Sequence, residues 1–156
     1  MKTLKIPGCY LEFEVRGKSD AHIVFAGCKD CEGYKVVIGG WGNTKSRIRD
    51  STDAAGRGRT GQDADTPGIM SEQEFRKFWV RVGEGNANSI SVGRGGEDEP
   101  FMTRTLSKTH AVFYTAFGTY KDNTIFWRIK QRDEVKEITT KGSESYKYLK
   151  YHCYNK

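Results

Sequence analysis

The chain has 156 residues, a formal net charge of +6, and 18 glycines against 3 prolines. That length makes a single domain, 1–156, with room for its own core, and the glycines serve turns rather than a disordered linker. No apolar run approaches the ~20 residues of a membrane helix, and the opening MKTLKIPGCY lacks the apolar segment of a signal peptide. Membrane insertion is not expected.

Residues 1–100 carry 15 basic and 15 acidic side chains, and residues 101–156 carry 11 and 5. No helix-turn-helix, finger or RNA-binding pattern accompanies the basic third, so nucleic acid is not an expected partner. The excess reads as a solvated, solubilising face. The cysteines are Cys9, Cys28, Cys31 and Cys153. Cys28 and Cys31 form a lone CxxC without the second ligand pair a zinc site needs. Structural disulfides are expected, within or between chains, and they favour a secreted, extracellular setting. Pairing is open: four cysteines allow three connectivities. One of Cys28/Cys31 could join two subunits, and Cys9 could equally pair with Cys153.

In chain order, Leu11, Phe13 and Val15 alternate with Glu12, Glu14 and Arg16 as a half-buried strand. After the turn at 17–20, residues 21–26 form a second strand, whose His22 packs beside it or bonds locally. Strands at 34–38 and 45–49 flank the turn Gly39-Gly40-Trp41-Gly42-Asn43. Residues 50–70 hold almost no apolar side chains and read as a long surface loop. Ser71 with Glu74 could cap one helical turn. Residues 74–82 put Phe78, Val80 and Val82 on one face and Trp79 and Arg81 on the other. Further strands are expected at 89–92, 101–106, 110–117 and 124–130, and an edge strand within 146–153. The core spans about 8–130, and 131–156 is a basic extension. Short strands with turns every 8–12 residues make an all-β fold, an antiparallel, jelly-roll-like β-sandwich of about 9–10 strands.

In order, IGGWGNTKSRIR, EFRKFWVRV, SISVGRGGEDEPF, AVFYTAFGTY and TIFWRI resemble the farnesoic acid O-methyltransferase-like domain over roughly residues 10–130. The resemblance implies a small β-sandwich of invertebrate extracellular proteins, and it extends to a galactose-binding lectin of a sea anemone. The family name suggests an enzyme, but the residues do not. A methyltransferase cradles its cofactor at a glycine turn between a parallel strand and a helix, whereas Gly39 and Gly40 lead into another strand. No catalytic residues are assigned.

If the strands alternate up and down with 50–70 as one loop, the loops divide by parity. One end then gathers 17–19, the GGWGN turn, 83–87 and 107–109. The other gathers 28–33, 50–70, 93–100 and 118–123. Carboxylates crowded on the second end would call for a cation. Asp63, Asp65, Glu97, Asp98, Glu99 and Asp122 are the candidate ligands for Ca2+, which takes six to eight oxygens. Arg94, Glu97, Asp98, Tyr120, Lys121, Asp122 and Asn123 are the candidate sugar contacts, Tyr120 covering the apolar face of the sugar. The expected function is a lectin, calcium-dependent and galactose-recognising, with glycans as partners. A homodimer, disulfide-linked or not, would add avidity. The alternative is a non-catalytic protein-interaction module using the basic C-terminal face. Trp41, at the opposite end by parity, is expected to cap the core or meet a second subunit, and Asn43 to brace its turn by a local bond.

Overall fold

A computed structural model describes residues 9–29, 31–51, 61–84, 87–105 and 112–149. Twelve strands form two antiparallel six-stranded sheets packed face to face. The first holds β1 (Cys9–Arg16), β6 (Arg76–Glu84), β7 (Ala87–Arg94), β8 (Met102–Thr105), β10 (Thr124–Lys130) and β11 (Val135–Lys141), in the order β11-β10-β1-β6-β7-β8. The second holds β2 (Ala21–Ala26), β3 (Gly33–Gly39), β4 (Lys45–Ser51), β5 (Gly61–Asp65), β9 (Tyr114–Gly118) and β12 (Lys147–Leu149), in the order β12-β9-β2-β3-β4-β5. The β-sandwich expected from the short alternating strands is what the chain forms.

Period-2 alternation decides which side chains fill the gap between the sheets. Leu11, Phe13 and Val15 face inward with Phe78, Val80, Val82, Ile90, Val92, Ile125, Trp127 and Ile129 from the same sheet. Ile23, Phe25, Tyr34, Val36, Ile38, Ile48 and Phe117 meet them from the other. Trp127 is 1% exposed, and its Nε1 donates to Thr140 Oγ1 at 2.8 Å. At one lateral edge Arg104 on β8 forks two bonds to Asp50 on β4, 3.1 and 3.4 Å, tying sheet to sheet.

Three expectations change. The stretch 50–70 is not one loop, because residues 61–65 are β5, paired with β4. This extra strand reverses the direction of everything after it. The loops 95–101 and 119–123 therefore share an end with the 17–20 loop and the GGWGN turn, and residues 27–29 and 31–32 are at the opposite end. Asp63 and Asp65 lie in β5, in register with Arg47 and Lys45, and Asp63 is ion-paired to Arg47. Second, residues 71–75 contain no helix. Ser71 Oγ accepts from the N–H groups of Gln73 and Glu74, but the chain turns straight into β6. Third, the segment after 130 adds β11 to one sheet as well as β12 to the other.

Cys28 and Cys31 are bonded to each other, with Cα atoms 5.0 Å apart. Both thiols of that loop are used within the chain, so the intersubunit link expected there is not formed. Cys9 is also disulfide-bonded, and Cys153 lies outside the described residues.

Candidate functional site

The GGWGN turn joins β3 to β4 through a run of left-handed residues: Gly39, Trp41, Gly42 and Asn43 have φ of 65, 50, 68 and 66°. Such a backbone costs an L side chain roughly 1–2 kcal/mol, and tertiary bonds hold it here. Asn43 Oδ1 accepts from Met70 N–H at 3.0 Å, and its Nδ2 donates to Met70 C=O at 2.9 Å. The bonds of Asn43 are thus long-range rather than local. They staple the turn to the β5–β6 connection, helped by Gly68 N–H donating to Asn43 C=O. Trp41 caps no core: it is 52% exposed, with the Arg47 guanidinium 5.5 Å from its ring centre.

A groove of about 430 Å³ lies on the outer face of the first sheet. Its floor follows from the alternation that builds the core. With Phe78, Val80 and Val82 turned inward, Lys77, Trp79 and Arg81 point outward on β6, beside Tyr10, Glu12 and Glu14 on β1. Trp79 lies opposite Gly93 on β7. A Cβ at 93 would come within 2.2 Å of the indole, so only glycine lets the ring lie flat on the sheet. Trp79 Nε1 donates to Glu97 C=O at 2.8 Å, which fixes the 95–101 loop as the groove's wall. The Tyr10 ring stacks on Trp79, centroids 6.4 Å apart, and the Arg81 guanidinium sits over both at 5.3 and 5.4 Å. Glu12 is held from two sides, by the Tyr10 hydroxyl at 3.0 Å and Lys130 Nζ at 2.9 Å. The lining carries four carboxylates (Glu12, Glu14, Glu97, Asp98) and four cations (Lys77, Arg81, Arg128, Lys130).

Of the residues expected to bind, Glu97 and Asp98 line this groove. Glu99 is exposed on the same loop, and Arg94 stacks over Phe101 at 5.0 Å. Asp122 and Asn123 line a separate cleft with Arg16, Lys18 and Glu72. Tyr120 is exposed, with Lys121 Nζ 5.1 Å from its ring centre, and Asn123 Nδ2 donates to Tyr120 C=O at 2.9 Å to shape that hairpin tip. The proposed calcium ligands are thus divided among a strand, the groove wall and a second cleft. Among the described residues no group of three or more His, Cys, Asp or Glu side chains is placed to hold a metal ion. Sequence reasoning missed Tyr10, Glu12, Lys77, Trp79, Arg81, Arg128 and Lys130 as a site. The available signal was Trp79, an aromatic on the outward face of its strand. Three basic residues of the C-terminal third are ion-paired. Arg104 pairs with Asp50, Arg128 with Glu137, and Lys130 with Glu12.

A second polar cluster lies on the outer face of the other sheet. His22 on β2 contacts Asp20 Oδ2 through Nε2 at 3.2 Å and the Tyr146 hydroxyl through Nδ1 at 2.6 Å. A carboxylate only accepts, so Nε2 carries the proton and Nδ1 accepts from Tyr146. Burial holds His22 below its ordinary pKa of 6.5, the Asp20 hydrogen bond opposing, and burial pushes Tyr146 up to about 12. Lys35 Nζ stands 5.5 Å from the Tyr146 ring centre.

A family model described as farnesoic acid O-methyl transferase matches residues 1–133. No curated protein and no solved structure matches the chain. The match covers most of the sandwich, including β1, Trp79 and the wall loop of the groove. The chain belongs to the farnesoic acid O-methyl transferase family.

Proposed function

We propose that this protein is a non-catalytic, secreted carbohydrate-binding protein whose site is the groove on the outer face of the first sheet. The observation that carries the reading is the groove's balance of charge over an aromatic floor. Four carboxylates facing four cations create no net field for a polyanion, so nucleic acid is a poor fit. A sugar hydroxyl both donates and accepts. A lining that offers both donors and acceptors suits it, and the hydrogen bonds to charged groups are the stronger kind. Tyr10 and Trp79, their ring planes inclined by 24°, supply the apolar surface beneath, and Arg81 lies over both. Galactose-type sugars are the first class to try, from the resemblance to a lectin. Calcium enters only as a question for the test, since the groove needs no cation to offer these contacts.

A glycan array with the full chain, in calcium and in chelator, tests this. Binding to neutral glycans that survives high salt is expected, as is its loss in Lys77→Ala/Asp98→Ala, two exposed positions whose change leaves the thermal melt in place. Absence of glycan binding in both buffers would sink the reading. Binding lost only in chelator would put a cation at the Glu97–Asp98 wall. Heat evolved on adding a methyl donor would argue for an enzyme instead.

A further inference from the structure

Arg16 ends β1 on the outer face, between two phenylalanines. Phe126 is its partner across the β1–β10 pairing, with ring centre 4.8 Å from the guanidinium carbon, and Phe75 flanks the other side at 5.2 Å. Such a stack holds the guanidinium in a set plane and leaves its edge of N–H donors open. Among the described residues no carboxylate or carbonyl takes those donors, and its partners there are the two rings. A second guanidinium, Arg128, lies 3.8 Å from the centre of the same Phe75 ring. Two like charges are thus held around one aromatic, and only Arg128 has a counter-ion, Glu137 at 3.5 Å.

Arg16 lines two clefts, and their charges differ. One, of about 440 Å³, adds Lys18 but also Glu72 and Asp122. The other, of about 510 Å³, adds Arg128 and Lys147 against Glu137 alone, already paired with Arg128. The second cleft therefore has an uncompensated positive charge and an oriented, unused fork of donors. That is the arrangement that recognises a planar carboxylate through two parallel bonds. Arg128 also lines the sugar groove, so the two spaces share a wall.

We infer that the Arg16 cleft is a carboxylate subsite, taking the acid group of a sugar acid whose neutral neighbours lie in the groove. The carboxylate itself is argued from Arg16 and its cleft. That a sugar carries it rests on the reading of the groove.

The test is NMR of the arginine Nε–Hε signals of the full chain, titrated with sodium glucuronate, sodium acetate and glucose at constant ionic strength. The Arg16 signal should move and saturate with glucuronate, move less with acetate, and stay put with glucose. Arg16→Lys keeps the charge but loses the planar fork, and should bind glucuronate roughly tenfold more weakly. Phe126→Ala, at a position 38% exposed, should keep the melt and weaken binding by destacking the guanidinium. It decides the matter if Arg16→Lys fails to fold. No saturable shift with either carboxylate overturns the inference, as does unchanged affinity in both variants. Glucuronate binding with an empty neutral-glycan array keeps the subsite and removes the groove reading. Array binding without the Arg16 shift does the reverse.

Discussion

At the scale of single residues, Asn43 does more than its place in a glycine turn suggests. One amide side chain satisfies both backbone groups of Met70, and Met70 is itself buried in the core. Asn43→Ala orphans that N–H and C=O and removes the staple on a left-handed turn. The expected cost is about 2 kcal/mol, a fall in melting temperature of roughly 4–8 °C for a domain of this size. Asn43→Asp can accept from Met70 N–H but not donate to its C=O, and should lie between the two. Equal melts for all three proteins would show that the turn is held by backbone bonds alone.

At the scale of elements, β12 is short, and its attachment rests partly on the residue just before it. Tyr146 covers Gly118 on β9 so closely that a Cβ there would fall 2.2 Å from its ring, and it bonds His22 on β2. The groups facing that histidine are Asp20, Lys35, Arg49 and Tyr146. Because its folded pKa lies below 6.5, the unfolded chain takes up a proton first as pH falls. Stability is therefore complete above about 6.5, declines below it, and levels off once folded His22 protonates. Tyr146 works oppositely: its stabilisation holds below about 10 and is lost as pH rises toward about 12. A melt series against pH should show both flanks. His22→Gln should flatten the acid one, and an unaltered acid flank would assign it to carboxylates instead. The same elements show what a sequence reveals. β2 and β10 are legible to the residue, as 21–26 and 124–130, because a short, wholly buried and mostly apolar run marks the first and buried alternation the second. β5, Gly-Gln-Asp-Ala-Asp, is not, since it is an edge strand whose only apolar contribution is Ala64, packed at the core's margin. Its pairing rests on backbone bonds and Arg47–Asp63, which leave no hydrophobic period. Missing that one strand put the 95–101 loop at the wrong end of the sandwich. β11 was missed for a similar reason, because Thr140 is its one fully buried residue. The groove escaped because its residues are the outward half of strands read for their inward half.

For the molecule as a whole, the two sheets depend on the segment after Lys130. Deleting 131–156 strips an edge strand from each sheet and exposes Trp127, whose indole N–H would lose Thr140. Exchanging that bond for one to water costs about 0.5–1.5 kcal/mol, before the lost cover of Ile138 and Leu149, both packed on the core. The truncated chain should melt at least about 5 °C lower or fail to fold, as circular dichroism on heating would show. An unchanged melt would make the extension a true appendage. The match of the family to residues 1–133 ends just before β11. Relatives that share only that span would need another way to cover Trp127.

The three tryptophans occupy three different environments: Trp41 is 52% exposed, Trp79 is 6% and Trp127 is 1%. Light emission from the protein is therefore already sorted by place. A soluble collisional quencher reaches the turn and leaves the core dark to it. Changes in the groove register through Trp79, whose exposed edge lies between these extremes. A titration watched with and without quencher can thus tell whether a ligand settles at the strained turn or on the sheet, with no label attached.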